Sequence, residues 1–245
     1  MSKALEYLEN LQRLNARIVS EQLSNIEKAA RLVATALEGG HRIFAFGTGH
    51  SHMLAEELFY RAGGIVNITP ILETALMLHE SASKSTLLER VGAYGQILFD
   101  TYGLAKGDVL LVFSNSGRNG VSIDLADLAV KNGLHTIVIT NMEHTMSGAS
   151  RHPSGKKLYE FGEVVLDNCG CLGDASVAID GFNRRVAPTS TAIGAAILNA
   201  MSACAIQYMV DDGFEPEVFA SSNVDGGDEI NEKYIAKYQK EIKAL

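Results

Sequence analysis

Short apolar runs alternate with helical stretches along most of this chain, and that alternation limits its fold more than any other feature. Residues 108–113 read Asp-Val-Leu-Leu-Val-Phe, and residues 135–140 read His-Thr-Ile-Val-Ile-Thr. Runs this continuous suit strands buried on both faces, as in parallel sheets. Shorter runs at 42–46, 64–68 and 163–166 supply three more candidate strands. Between and after them, helices are expected over 51–62, 86–102, 122–132 and 189–210, the last being the longest and most apolar, and a charged helix over 228–243. Parallel neighbours require long crossovers, and helical crossovers cover both faces of a sheet. The pattern predicts a doubly wound α/β fold. Ahead of it, Leu5, Leu8, Leu11, Leu14, Ile18, Ile26, Ala30, Val33 and Leu37 recur at helical spacing until Gly39-Gly40 stops them. This segment is either one bent helix or two. The expected organisation is a helical segment over 1–40, the α/β domain over 41–212, and a closing loop and helix over 213–245.

With 47% hydrophobic and 20% charged residues, the 245-residue chain has the composition of a packed globular protein. Its 29 acidic and 21 basic residues leave a net charge of -8, which argues against nucleic acid as a partner. A small anion is still accommodated, because backbone amides at helix starts hold phosphate without any cationic surface. No uninterrupted apolar run reaches the ~18 residues of a membrane span, and no secretory core opens the sequence. A cytoplasmic protein without membrane contact is expected. Cys169, Cys171 and Cys204 form no framework spacing, so reduced thiols are expected.

Ligands of doubly wound folds bind beyond the C-terminal strand ends. Two loops there stand out. The run 42–46 enters Gly47-Thr48-Gly49-His50-Ser51-His52, and the run 108–113 enters Ser114-Asn115-Ser116-Gly117-Arg118-Asn119. Glycines let the backbone turn and approach a ligand, while hydroxyls and helix-start amides donate to phosphate oxygens. Gly49, His50, Ser51 and the whole 114–119 loop are therefore candidate phosphate ligands, with Arg118 as an added cation. The same residue types also favour plain N-capping. Neither loop is a dinucleotide fingerprint or a P-loop.

The succession strand–GTGHS–helix, strand–SNSGRN–helix and strand–Thr140-Asn141 resembles the sugar isomerase (SIS) domain over roughly residues 3–212. The resemblance implies a three-layer sandwich with a five-stranded parallel sheet, a phosphate held by the SNSG loop, and homodimers or homotetramers with sites near subunit contacts. Among such proteins, phosphoheptose isomerases carry a similar first loop followed by AEEL on the next helix. Here Ala55-Glu56-Glu57-Leu58 follows Ser51-His52, and the resemblance makes Glu57 the candidate base. Those isomerases also carry a catalytic histidine on the final long helix, where this chain has Asn199. Residues 197–202, Ile-Leu-Asn-Ala-Met-Ser, are closer to N-acetylmuramic acid 6-phosphate etherases, although the acidic Glu-Asp-Asp segment of that branch is absent. The sequence thus points to a subgroup related to both.

Aldose–ketose isomerisation moves a proton between adjacent carbons, work suited to a carboxylate or a histidine. Besides Glu57, the His79-Glu80 pair after the second strand is a candidate acid–base couple, or else a helix end turning to solvent. Glu56 and Glu89 remain alternative bases. Thr189, Ser190 and Thr191 open the long helix, where they cap it and can also join the phosphate site. The cationic loop 151–157 either clamps substrate or is simply exposed. The turn 223–229 lacks EF-hand spacing, no metal-binding spacing is visible, and no metal or cofactor is expected. Three functions remain open: a sugar-phosphate isomerase, a sugar-phosphate lyase or etherase, and a non-catalytic phosphosugar sensor.

Overall fold

The computed structural model describes residues 2–245. Five parallel strands form the central sheet: β1 (Ile43–Gly47), β2 (Ile68–Pro70), β3 (Val109–Phe113), β4 (His135–Thr140) and β5 (Val164–Asp167), in the order β2-β1-β3-β4-β5. Register runs from Ile43 opposite Val109 to Gly47 opposite Phe113, and from Val109 opposite His135 to Phe113 opposite Ile139. Residues of β1 and β3 are wholly buried, because side chains alternate between two covered faces. This is the expected doubly wound α/β sandwich.

One face of the sheet presents Ile43, Ala45, Val109, Leu111, Phe113, Ile137 and Ile139 to α2 (Leu23–Glu38), α3 (His52–Leu58) and α8 (Ser190–Asp211). The other presents Phe44, Phe46, Leu110, Val112 and Val138 to α5 (Tyr94–Tyr102) and α6 (Gly120–Lys131). The leading segment is a single bent helical column. Its first part, α1 (Lys3–Arg17), passes through a π-helical turn at Ile18–Gln22 into α2. Such a turn shifts the buried face, and it falls where the apolar spacing widens between Ile18 and Ile26. By length and hydropathy α8 would suit a membrane span, but Ile193, Ile197, Leu198, Met201 and Met209 are buried in the first of these clusters. The α9 helix (Gly227–Tyr238) covers a separate small cluster of Val66, Phe219, Tyr238 and Ile242.

Several elements differ from expectation. The second strand lies at Ile68–Pro70 rather than 64–68, because Ile65 instead bridges to Val218 beneath the C-terminal segment. The helix after β1 ends at Leu58, four residues early, where Phe59 turns to extended backbone. The helix expected over 86–102 is two, α4 (Ala82–Leu88) and α5, parted by Gly92 and a left-handed Ala93. A short α7 (Met142–Met146) and an antiparallel hairpin of β6 (Ala175–Ala178) and β7 (Arg185–Pro188) were not anticipated.

Candidate functional site

The strand order reverses direction between β1 and β3. The chain leaves β1 for α3 on one face of the sheet and leaves β3 for α6 on the other. A crevice opens at such a point. Both glycine- and serine-bearing loops border it.

The first loop begins with a tight turn. A Cβ at Gly47 would overlap the carbonyl of Ser51, so only glycine closes it. Thr48 Oγ1 donates to Glu89 Oε2 at 2.8 Å, tying the loop to the end of α4. Gly49 has φ 55°, His50 is exposed and Ser51 half-buried. The second loop is held from the side of β4. Thr140 Oγ1 donates to the Ser114 carbonyl at 2.7 Å, and the Asn141 amide donates to the Asn115 carbonyl at 3.2 Å. Ser114 Oγ accepts from the Gly117 amide at 3.2 Å, closing a small turn about Gly117. Asn119 stands at the N-cap of α6, yet its side chain accepts from Arg151 Nη1 at 3.0 Å.

Ser51, Ser114, Asn115, Asn168, Ser190 and Thr191 line one small cavity between these loops and the start of α8. Its polar lining is made of neutral donors and acceptors, with no carboxylate to repel an anion. At the end of the second loop, partial desolvation and the neighbouring Arg118 and Arg90 push the Arg151 guanidinium below its ordinary value, a sign that three cations crowd together. The buried Arg118 Nε has no protein acceptor. Glu89, which accepts from Thr48 of the first loop, is the carboxylate within this cluster.

The structure sorts the remaining candidates. Ser116, Gly117, Arg118 and Asn119 belong to the loop beside the cavity, not to its lining. Thr189 is buried and does not line the cavity; its amide and that of Ser190 donate to Asp174 Oδ1 at 3.0 and 2.8 Å. Glu57 Oε1 accepts from Asn199 Nδ2 at 2.7 Å and pairs with Arg61. It lies about 9 Å along the helix from Ser51 and is not part of the cavity lining. Glu80 is exposed, and hydrogen bonds from Lys84 and then Thr74 hold its carboxyl below the usual range, unlike a base poised near neutrality. His79 is exposed and faces Glu56, not Glu80.

Two functional candidates escaped the sequence. Asn168 is the first residue beyond β5; its Nδ2 donates to Asn115 Oδ1 at 2.8 Å and its Oδ1 accepts from Asn141 Nδ2 at 2.9 Å. The strand-end rule that singled out the other loops applies to it equally. Asp174, which caps α8 from 15 and 16 residues away, had no local signal.

A 2-1-3-4-5 parallel sheet with a hydroxyl-lined cavity at its reversal point defines an α/β protein of the small-molecule-binding, doubly wound class. The chain belongs to the SIS domain family, whose match spans residues 6–141. It is 44% identical over 237 residues to a UPF0309 protein of Geobacillus thermodenitrificans, covering 96% of this chain and 95% of that one. A UPF0309 protein of Listeria innocua is 43% identical over 239 residues, covering 98% and 97%. In three dimensions the fold is similar to phosphoheptose isomerase from Neisseria gonorrhoeae, with a TM-score of 0.54 at 15% identity over 85% of this chain and 97% of that one. It is also similar to a phosphoheptose isomerase from Francisella tularensis, with a TM-score of 0.52 at 17% identity over 84% and 100%.

Proposed function

We propose that this protein binds a sugar phosphate at the crevice between β1 and β3 and isomerises it between aldose and ketose forms. The observation that carries the reading is the neutral cavity of Ser51, Ser114, Asn115, Asn168, Ser190 and Thr191, with Arg118 on the same loop as Ser114 and Asn115 and Arg90 and Arg151 grouped around it. Hydroxyls and amides there match phosphate oxygens, and the arginines offset the charge. The phosphoheptose isomerases of similar fold support a sugar substrate. In this reaction a base takes the proton from the carbon beside the carbonyl, an enediol forms, and the proton returns to the neighbouring carbon. Glu57 is the base of this reading, with Asn199 orienting its carboxylate. The reaction runs in the cytoplasm, in a homodimer or homotetramer.

The assay is incubation with a panel of sugar phosphates in deuterated water. Deuterium at the carbon beside the carbonyl, lost in Glu57→Gln with binding retained, is expected. A ligand that binds without any exchange overturns isomerisation. One arrangement favours the alternative of a phosphosugar sensor: Glu57 lies outside the cavity lining, and Arg61 and Asn199 engage its carboxylate. Binding without exchange is that reading's outcome, whereas lactate release from a muramic acid phosphate marks the etherase.

A further inference from the structure

The α3 helix carries a second group of chemically competent side chains that the sugar-phosphate reading leaves unused. His52 and Glu56 lie four residues apart on one face of α3, and His79 reaches them from the segment after β2. Glu57 is turned about 100° away around the helix, toward α8.

We propose that His52, Glu56 and His79 bind a divalent metal ion of the zinc class. His52 is 3% exposed, and its Nδ1 meets the carbonyl oxygen of Gly49. A carbonyl only accepts, so Nδ1 carries the proton and, in the neutral ring, Nε2 carries the lone pair. That Nε2 is buried and has no hydrogen-bond partner. A backbone carbonyl fixing the far nitrogen is the arrangement that orients metal-bound histidines. The free Nε2 is aimed at Glu56 Oε1, 3.5 Å away, and His79 Nε2 is 3.7 Å from the same oxygen. All three ligand atoms lie within 4.8 Å of one another. Around a tetrahedral zinc with ligands at about 2.0–2.1 Å, neighbouring ligand atoms sit about 3.4 Å apart. Two separations already approach that value, and the third closes by a small swing of His79, which is 60% exposed and rests edge-on against the His52 ring, the centroids 5.1 Å apart.

Two imidazoles and one carboxylate suit a borderline ion rather than magnesium or calcium, which favour all-oxygen sites. Nothing here depends on a sugar phosphate, so the proposal stands or falls apart from the preceding one. Bound metal would fasten the segment after β2 to the helix that follows the first loop.

The test uses tag-free full-length protein, stripped with chelator, and titrates it with Co2+ alone. One equivalent per chain is expected, with visible d–d bands, without thiolate-to-cobalt charge transfer, and displaced by Zn2+. His52→Ala can fail to fold, so the decisive variants are the exposed Glu56→Gln and His79→Gln. Each should weaken Co2+ binding by at least about 10-fold and abolish any rise in melting temperature that the metal gives the native protein. No saturable binding, thiolate bands that place the ion on cysteine, or full affinity in His79→Gln each overturns the site.

Discussion

Left-handed backbone at Gly117, with φ 57°, lets the second loop double back while its amide reaches Ser114 Oγ. A Cβ there would lie 3.0 Å from Thr145 Oγ1 and 3.2 Å from Thr140 Oγ1, two hydroxyls already bonded to each other. Gly117→Ala should therefore cost about 1–2 kcal/mol from the backbone alone, read as a lower urea midpoint, and should weaken sugar-phosphate binding more than a substitution of Ser190. Equal stability of the variant would mean that the turn relaxes freely. Cysteine offers a second check at this scale. Burial, then the nearby Asp167 carboxylate, pushes the Cys169 thiol up to about 11. At pH 7.5 it is almost wholly protonated, and thiols react as thiolates. Iodoacetamide should leave Cys169 unmodified in the native protein by peptide mass spectrometry, with labelling growing as pH rises toward 11. Rapid labelling at neutral pH would show that this pocket opens. The loops holding these residues were legible from glycine and serine placement after apolar runs. The hydrogen bonds that decide which hydroxyls face the cavity were not, because Thr140, Asn141 and Asn168 come from strands distant in sequence.

Among the elements, α8 depends on a partner outside itself. The amides of Thr189 and Ser190 both donate to Asp174 Oδ1, and Ser190 Oγ donates to Asp174 Oδ2 at 2.6 Å. A carboxylate thus complements the positive end of a 22-residue helix. Asp174→Asn keeps the shape and tolerates the left-handed backbone at φ 69°. It should cost about 0.3–1 kcal/mol through the lost charge, measured by urea unfolding, with the difference shrinking at high salt. A loss unaffected by salt would point to the hydrogen bonds instead. Buried strands β3 and β4 were readable to within a residue, since Val-Leu-Leu-Val-Phe and Ile-Val-Ile have no other good use. The short β2 was misplaced because Ile65, Val66 and Ile68 are all apolar and buried, and tertiary contacts with Val218, not local pattern, choose its register. The β6–β7 hairpin escaped because Ala175–Ala178 and Arg185–Pro188 are mostly unburied and carry little apolar alternation. The His52–Glu56–His79 group escaped for a related reason: only the first two share a helix, and the third arrives by a path that spacing cannot reveal.

At the scale of the whole molecule, the leading helix is the element that one chain leaves incomplete. No residue of α1 is buried, and Leu5 and Leu8 are 48% and 56% exposed. Farther along the column, Val19 and Leu23 are 65% and 46% exposed. Within the chain α1 is tethered by few polar contacts, such as Tyr7 Oη to the Pro188 carbonyl at 2.8 Å and Asn10 Nδ2 to the Ser176 carbonyl at 3.2 Å. A 15-residue helix is marginal in water without packing; Leu11 and Leu14 pack against the core, which leaves the surface of Leu5 and Leu8 to be covered. The proposed oligomer gives that surface an occupant, a second copy of the same column. Light scattering on tag-free protein should then give a mass at least twice the 26.3 kDa of one chain. Leu5→Glu with Leu8→Glu should shift that mass downward while far-ultraviolet dichroism keeps its helical strength, because neither leucine supports the core. A native mass of one chain would sink the oligomer. An unaltered mass in the double variant would move the contact elsewhere, and the part-exposed apolar face of α8 would be the next to test.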